Sequence, residues 1–315
     1  MKCGILAISL AATMTIAPAL SQSYPTRPVE LTVAFSPGAV TDIFARALSE
    51  GLAQQLGQRF VVVNKAGATG AIGTNAVARS APDGYSLLFT PAVSITVLPL
   101  QNRDIGYTHK TFETICQTFK NEMVIIAKPG SPFKSAADII ATGKAKPNQV
   151  SYGHLGIASI PHLAMTELSI YAKADFNAVP FKGDSEVMQN VLGGHVDFGA
   201  VVLSSAIGSG VSILGLFAEQ RNPAIPDTPT LKEQGFDVAP VSFGGIVGPA
   251  GLPADVKTKL MQACRIAAQG DIYSKLARSV GQPVDFYADA EAFTRRLDRD
   301  VEDKTRLLKV LGELK

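Results

Sequence analysis

The sequence of 315 residues contains no tryptophan, only three cysteines and four histidines, and its formal net charge is +2. So weak a charge gives no electrostatic footprint for nucleic acid, and no run of Lys or Arg forms a patch for a membrane surface. Of the residues, 46% are hydrophobic and 18% are charged. This composition is ordinary for a protein with a large core, and the length favours two domains.

The scarcity of cysteine argues against a disulfide framework. Cys3 belongs to the N-terminal segment, and Cys116 and Cys264 lie far apart in the sequence. In an oxidising compartment the latter two could pair if their Cα atoms lie within about 7 Å. We expect instead two buried, unpaired thiols.

Recognisable catalytic and metal-binding patterns are also missing. There is no Gly-x-Ser-x-Gly elbow, no cysteine in a nucleophile setting and no His-x-x-x-His pair. Gly67, Gly70 and Gly73 share a spacing with dinucleotide fingerprints, but the Gly-x-Gly start and the later acidic residue for the ribose are absent. We therefore expect no enzyme, no metal and no cofactor.

The N-terminus has the features of a secretory signal. Lys2 provides a positive start, residues 5–16 are apolar, and residues 17–21 offer small side chains for cleavage. This predicts a signal peptide over residues 1–22, a mature chain beginning between Gln22 and Tyr24, and export to the periplasm. No later stretch of roughly 20 apolar residues follows.

Apolar runs and helical spacings alternate along the rest of the chain. Strands are predicted at 31–35, 60–63, 85–89, 123–127, 149–152, 176–180, 196–202 and 213–217. Helices are predicted at 42–56, 72–79, 135–142, 161–172 and 184–192, and beyond residue 251. Continuous apolar strands are typical of a mainly parallel sheet with helices on both sides, an α/β fold.

Three helix starts are candidate anion sites, because the first N–H groups of a helix lack internal partners and the helix dipole adds positive potential. They lie at residues 36–41, 64–70 and 182–185. Asp42, in the first turn of its helix, either suits the dipole or binds an amine. His162, after Ser159, is either a capped helix residue or a ligand contact.

An ordered series of motifs resembles the Bug/TctC family of periplasmic solute-binding proteins, the receptors of tripartite tricarboxylate transporters. Each motif is weak alone, but their order along nearly the whole mature chain is specific. The series comprises residues 24–29, the Phe35-Ser36-Pro37-Gly38-Ala39-Val40-Thr41-Asp42 loop, and residues 56–58, 62–73, 81–85, 181–183, 192–197, 225–235 and 248–253.

The resemblance implies a two-domain periplasmic binding protein of type II, a Venus flytrap with a hinge of crossing strands. Its domain 1 would comprise residues 23–122 and 243–315, and its domain 2 residues 123–242. The crossings would fall near 120–126 and 238–246. Closure of such a protein moves a few hinge residues and buries the ligand.

The family holds a ligand carboxylate mainly by backbone N–H groups and bridging waters of the two first-domain loops. Carried over to this chain, the predicted ligand-binding residues are Phe35, Gly38, Ala39, Thr41, Asp42, Ala68, Gly156, Ser159, His162, Lys182, Gly183, Val201 and Phe243.

Five departures from the family pattern bear on the ligand. Ala39 replaces the second loop glycine, Lys65 stands where Arg is usual, and Phe243 occupies a position often filled by Trp. Residues 200–202 are more apolar than usual, and Asp184 disfavours a second anionic group nearby. The last two of these departures favour a ligand with one carboxylate and an apolar or aromatic body over a tricarboxylate.

The resemblance predicts a monomeric periplasmic receptor that delivers a carboxylate to permease subunits of a tripartite tricarboxylate transporter. An alternative function is sensing, in which the closed form docks on a membrane sensor kinase. Both functions need closure driven by the ligand, so the sequence leaves them open.

Overall fold

The computed structural model of the chain describes residues 24–283 and 286–314. The predicted signal peptide lies outside the described residues. Within the described part, no helix has both the length and the apolar character needed to cross a membrane.

Strands and helices alternate through most of the chain. The strands are β1 Val29–Val33, β2 Phe60–Asn64, β3 Ser86–Pro91, β4 Phe112–Ala127, β5 Ser151–His154, β6 Asn177–Pro180, β7 Phe198–Val202, β8 Ser212–Phe217, β9 Val241–Pro249 and β10 Ala288–Asp289. The helices are α1 Val40–Leu56, α2 Ala71–Ala78, α3 Val93–Thr96, α4 Leu98–Gln101, α5 Ala136–Ala145, α6 Ile160–Ala172, α7 Asp184–Leu192, α8 Leu203–Ala206, α9 Ala254–Gln269, α10 Asp271–Ser279 and α11 Ala290–Val310. Short 3₁₀ turns lie at Ala68–Gly70, Arg103–Ile105 and His109–Thr111.

The strands form a sheet in the order β2-β1-β3-β9-β4-β7-β5-β6, and β8 and β10 also pair with β4. Strands β2, β1 and β3 are mutually parallel, as are β7, β5 and β6. The expectation of a mainly parallel sheet is wrong at the centre, where β9 and β4 run antiparallel to their neighbours. These strands link the two parallel groups, so no helical crossover constrains their direction.

Strand β4 connects the two halves of the sheet. Its residues 112–122 pair with β9, whereas residues 123–127 pair with β7 and β8. We refer to β1, β2, β3, β9, β10 and residues 112–122 as the first part of the sheet, and to the remaining strands as the second part.

The register of β4 makes the two parallel groups face each other. The carboxyl end of β3 pairs with β9 at Pro91–Gly244, and Gly244 in turn pairs with Phe119 of β4. The carboxyl end of β7 pairs with β4 at Val202–Met123. Both carboxyl edges therefore converge on residues 119–123, and the loops that follow the parallel strands lie on opposite sides of one cleft.

Helices cover both faces of each part. In the first part, α1, α9 and α10 pack on one face around fully buried side chains that include Phe44, Leu260 and Tyr273, and α2 and α11 pack on the other around Val77 and Phe293. In the second part, Ile139 of α5 and Leu168 of α6 belong to one core cluster, and α7 and α8 contribute to another.

Helix α11 contacts both parts. Leu307 and Leu308 are buried with Val97 of the first part and with Ala158 and Leu163 of the second. The guanidinium of Arg306 also lies 3.5 Å from the carboxylate of Glu167 on α6. The last helix therefore spans one side of the cleft.

Cys116 on β4 and Cys264 on α9 form a disulfide, so the expectation of two unpaired thiols is wrong. Although 148 residues separate them in sequence, their Cα atoms lie 6.5 Å apart, within the range for a disulfide, and both residues are fully buried. The crosslink fastens α9 to the part of β4 that pairs with β9.

We expect replacement of both cysteines, C116A/C264A, to lower the free energy of unfolding by about 2–5 kcal/mol, because the disulfide restricts the unfolded chain over a long loop. Urea unfolding with and without dithiothreitol measures this. Reductant should lower the wild-type midpoint and leave that of the double variant unchanged. Equal midpoints of oxidised wild type and variant would contradict a stabilising crosslink.

Candidate functional site

Loop 1, residues 34–39, joins β1 to α1 at the cleft and leaves backbone donors free of the helix. The first hydrogen bond of α1 runs from the N–H of Ile43 to the carbonyl of Ala39, at 3.0 Å. Ala39 is the N-cap residue, and no side chain makes a capping hydrogen bond to the helix. The N–H groups of Val40, Thr41 and Asp42 thus have no partner within the helix, and the dipole favours an anion there.

The predicted residues Gly38 and Ala39 have their N–H groups engaged inside the loop. The N–H of Gly38 donates to the Asp42 carboxylate at 2.9 Å, and that of Ala39 donates to the Ser36 carbonyl at 3.2 Å. Gly38 has a φ of +79°, and a Cβ there would meet nothing within 4 Å. A glycine is therefore favoured by the backbone conformation, not by crowding.

Asp42 is only 2% exposed and holds loop 1 in place. Besides Gly38, its carboxylate accepts hydrogen bonds from Arg46 Nε at 3.0 Å and from Asn64 Nδ2 at 2.9 Å. Burial raises the pKa of Asp42, but the hydrogen bonds from Arg46, Gly38 and Asn64 outweigh it and hold the pKa below its usual value. With these partners, Asp42 supports the loop.

Asn64 also joins loop 1 to the end of β2, since its amide donates to the Phe35 carbonyl at 3.0 Å. Sequence reasoning missed Asn64, Arg46 and the free N–H of Val40. The i, i+4 spacing of Asp42 and Arg46, and an amide at the end of an apolar strand, were signals that could have indicated the first two.

Loop 2, residues 65–70, has an unusual run of left-handed backbone. Gly67, Ala68, Thr69 and Gly70 have φ values of +131°, +48°, +55° and +93°. Such conformations are unfavourable for residues with a Cβ, and they occur where the surroundings impose them, often at functional sites. Helix α2 then starts at Ala71 without a side-chain cap. The N–H groups of Gly70 and Ala71 bond back to Gly67 and Ala68 in the preceding turn.

Loops 1 and 2 are in direct contact. A Cβ on Gly70 would lie 2.8 Å from Ser94 Oγ and 3.3 Å from Phe35 Cζ. The starts of α1 and α2 are consequently neighbours at the carboxyl ends of paired strands β1 and β2. The predicted residues Phe35 and Ala68 thus belong to two loops in contact, and Thr41 lies in the first turn of α1, which follows loop 1.

Loop 3, residues 155–159, lies on the opposite edge and is held by two histidines. His154 Nδ1 lies 2.9 Å from the Gly156 carbonyl, and His162 Nδ1 accepts the N–H of Ala158 at 3.0 Å. The two imidazole rings are stacked, with centroids 4.2 Å apart. Ser159 Oγ accepts the N–H of His162 at 3.4 Å as the N-cap of α6.

His162 is 7% exposed and electrically neutral near pH 7. Burial, and then the neighbouring His154, lower the pKa of His162 to about 4. Because its Nδ1 accepts a hydrogen bond, the proton of the neutral ring is on Nε2. The structure supports the capped helix residue, because Ser159 accepts the His162 N–H and the His162 ring braces loop 3. Contact of His162 with a ligand stays a prediction.

Loop 4, residues 181–183, precedes α7 on the same edge. Lys182 is exposed, and its backbone N–H donates to Glu186 Oε2 at 2.8 Å. Gly183 is the N-cap of α7, and no side chain caps the helix there. A Cβ added at Gly183 would meet nothing within 4 Å. The first turn of α7 carries two acidic residues, Asp184 and Glu186.

The side chains of Val201 and Phe243 are packed in the hydrophobic core. Val201 is fully buried in the core cluster that α7 and α8 help to form. Phe243 is 2% exposed, with its ring against Phe293 and below the guanidinium of Arg296. The Val201 side chain thus offers no free surface to a ligand. Phe243 lines a cavity together with Arg296 and Arg299, and its carbonyl accepts the N–H of Ala92 near the carboxyl edge of β3.

Exposed apolar side chains lie in the same loops and helix starts. Val40 at the start of α1, Ile72 in the first turn of α2 and Ile157 in loop 3 are 47%, 56% and 61% exposed. Within the described ranges, no group of three or more His, Cys, Asp or Glu residues could hold a metal ion. The two edges thus combine backbone donors for an anion with exposed aliphatic surface.

The family model and the most similar curated proteins agree on one family. The sequence model described as "Tripartite tricarboxylate transporter family receptor" matches residues 44–312. A UPF0065 protein of Cupriavidus necator is 30% identical over 99% of this chain and 96% of its own length. Protein BugT of Bordetella pertussis is 30% identical over 74% of this chain and 73% of its own.

Solved structures share the fold. A TctC solute-binding protein from Polaromonas has a TM-score of 0.80 at 26% identity, covering 91% of this chain and 99% of its own. Periplasmic binding protein BugD has a TM-score of 0.73 at 30% identity, with coverages of 93% and 100%. An R. palustris protein solved with adipate has a TM-score of 0.75 at 24% identity, with coverages of 92% and 99%.

We expect Asp42→Asn to lower the free energy of unfolding at pH 7 by about 1–3 kcal/mol, because it weakens charge-assisted hydrogen bonds. A carboxyl with a depressed folded-state pKa stabilises the protein above its usual pKa near 3.8, and this contribution is lost as the pH falls through the folded value. The difference between wild type and variant should therefore shrink below about pH 4.

Urea unfolding of both proteins from pH 7 to pH 3 measures this difference. Asp227→Asn, which neutralises an exposed acid, is the matched control and should change stability by no more than about 0.5 kcal/mol. A difference between wild type and Asp42→Asn that stays constant down to pH 3 would show that the carboxylate is not stabilised in the folded protein.

Proposed function

Since the chain belongs to the tripartite tricarboxylate transporter receptor family, whose members are periplasmic solute-binding proteins, we propose that it binds a small carboxylate in the cleft and delivers it to the membrane subunits of such a transporter. The observation that supports a carboxylate ligand is the pair of adjacent helix starts, of α1 and α2, that no side chain caps. Backbone N–H groups with aligned helix dipoles bind anions without a cationic side chain.

We propose that the two parts of the sheet correspond to two domains, residues 23–122 with 243–315 and residues 123–242. The change of β4 partners after Glu122 supports the first boundary, and the start of β9 at Val241 lies close to the second. The ligand would be enclosed when the two edges approach, with the protein acting as a monomer and without catalysis. Export by the N-terminal signal peptide would place it in the periplasm.

We also propose that the ligand has an apolar part beside its carboxylate. Val40, Ile72 and Ile157 expose aliphatic surface beside the donors, and burial of such surface against a ligand is favourable by about 25 cal/mol per Å². The histidine pair of loop 3 adds neutral, polarisable rings. These neighbours suit a carboxylate with an apolar body, as in an aromatic monocarboxylate.

Thermal unfolding with matched ligands tests the carboxylate. Benzoate should raise the midpoint, because a ligand that binds only the folded state stabilises it, whereas benzamide, which lacks the charge, should not. Stabilisation by citrate but not by any aromatic monocarboxylate would contradict the apolar body, and equal shifts with benzoate and benzamide would contradict the anion site.

Two glycines at opposite ends of α1 supply the variant and its control. Gly38→Val and Gly57→Val both place a β-branched residue at positive φ, +79° and +69°, where no neighbour lies within 4 Å. Both should destabilise the fold similarly, but only Gly38→Val should remove the benzoate shift, because Gly57 closes the far end of the helix. An unchanged shift in Gly38→Val would remove loop 1 from the site.

Uptake measurements separate transport from the alternative, presentation of the closed form to a sensor kinase. In the source bacterium, deletion of the gene should abolish uptake of the labelled carboxylate, and wild type but not Gly38→Val should restore it. Unchanged uptake together with loss of a transcriptional response to the ligand would favour the sensor.

A further inference from the structure

Asp184 differs from the other acidic residues at the cleft in how its carboxylate is held. It is the first residue of α7, yet it reaches across to α8. Its Oδ2 accepts the hydroxyl hydrogen of Ser205 at 2.7 Å, and the nearby backbone N–H of Val202 lowers the pKa of the carboxyl. Val202 pairs with Met123 of β4, which places Asp184 on the edge that faces loops 1 and 2.

The other oxygen of this carboxylate has no partner. Asp184 Oδ1 is buried, and nothing in the described part of the chain donates a hydrogen bond to it. A buried acceptor without a donor is unfavourable, and more so when it carries charge. Burial, opposed by the bond from Ser205 and by the nearby Val202 N–H, raises the pKa of Asp184, as expected for a carboxyl that lacks full solvation.

Asp184 thereby uses the donors that a second ligand carboxylate would need at this edge. The Ser205 hydroxyl already donates to the protein's own carboxylate, and the Val202 N–H lies near it. Glu186, in the same helical turn, takes the N–H of Lys182. The Lys182 side chain is exposed, and water and salt weaken the interactions of exposed charges.

We propose, on the premise that the protein is a carboxylate receptor, that Asp184 is a specificity-determining residue that excludes a second carboxylate at the far end of the ligand. One anion fits the donors of loops 1 and 2, and Asp184 holds a carboxylate at the facing edge, against Ser205. At an effective dielectric constant of about 20, like charges about 8 Å apart weaken binding by roughly tenfold or more.

Hexanoate and adipate form a matched pair of probes, because both have six carbons and they differ by one terminal carboxylate. Isothermal titration of the full mature protein should show hexanoate binding at least about tenfold more tightly than adipate. Asp184→Asn keeps the shape and the hydrogen bond to Ser205 and removes the charge. Asp184→Asn should reduce the ratio of the adipate Kd to the hexanoate Kd by about tenfold, mainly because adipate binds more tightly.

Asp197→Asn is the matched control. Asp197 immediately precedes β7 and bonds to Ser151 at the opposite, amino edge of the same strands, so the same loss of charge should leave the ratio unchanged. A ratio that shifts equally in both variants would indicate a long-range charge effect and overturn the role of Asp184.

The outcomes separate this inference from the proposed function. Wild-type protein that binds adipate as tightly as hexanoate, or a folded Asp184→Asn with the wild-type ratio, overturns the role of Asp184 and leaves carboxylate binding intact. Failure of wild type to bind either acid overturns carboxylate binding and the inference with it. The wild-type ratio needs no substitution, so the test stands even if Asp184→Asn does not fold.

Discussion

The antiparallel pairing of β4 with β9, and the change of partners along β4 at Glu122, determine where every loop of the site lies. Parallel strands place their carboxyl ends on one edge, and ligands in open α/β sheets bind at such edges. One strand shared between two parallel groups turns those edges towards each other. The cleft follows from this register, before any side chain is considered.

Carboxylates of the protein itself have different effects on the two sides of that cleft. Asp42 accepts the Gly38 N–H and so leaves the donors of the first helical turn directed outwards. Asp184 instead reaches to Ser205 and the start of α8 and consumes donors at its own edge. One edge thus presents the backbone donors of a helix start. The other carries a carboxylate with one buried oxygen that has no hydrogen-bond donor among the described residues.

Local patterns predicted the parallel strands and their helices within a few residues, because apolar runs and helical spacing report burial directly. They failed where structure depends on distant partners. Residues 112–122 of β4 include Glu113, Gln117 and Lys120, so this half of the strand lacks an apolar run and went unrecognised. The Cys116–Cys264 pairing depends on a spatial proximity that a sequence separation of 148 conceals.

The candidate site shows the same division. Loops 1 and 2 were predicted correctly as helix starts because their glycines and the following helical pattern are local signals. Which N–H groups remain free was not predictable, since Asp42 decides it through contacts with Gly38 and Asn64. Val201 and Phe243, carried over by resemblance, have side chains buried in the core.

The disulfide lies on only one side of the point where β4 changes partners. Cys116 fastens the first part of the strand to α9, whereas residues 123–127 pair with β7 and β8 and have no such crosslink among the described residues. In a receptor that closes, bending of β4 is then confined to the few residues between this anchor and Met123, with the facing residues of β9. A short flexure of this kind permits rotation about few axes, so the two edges meet in the same relative position at each closure.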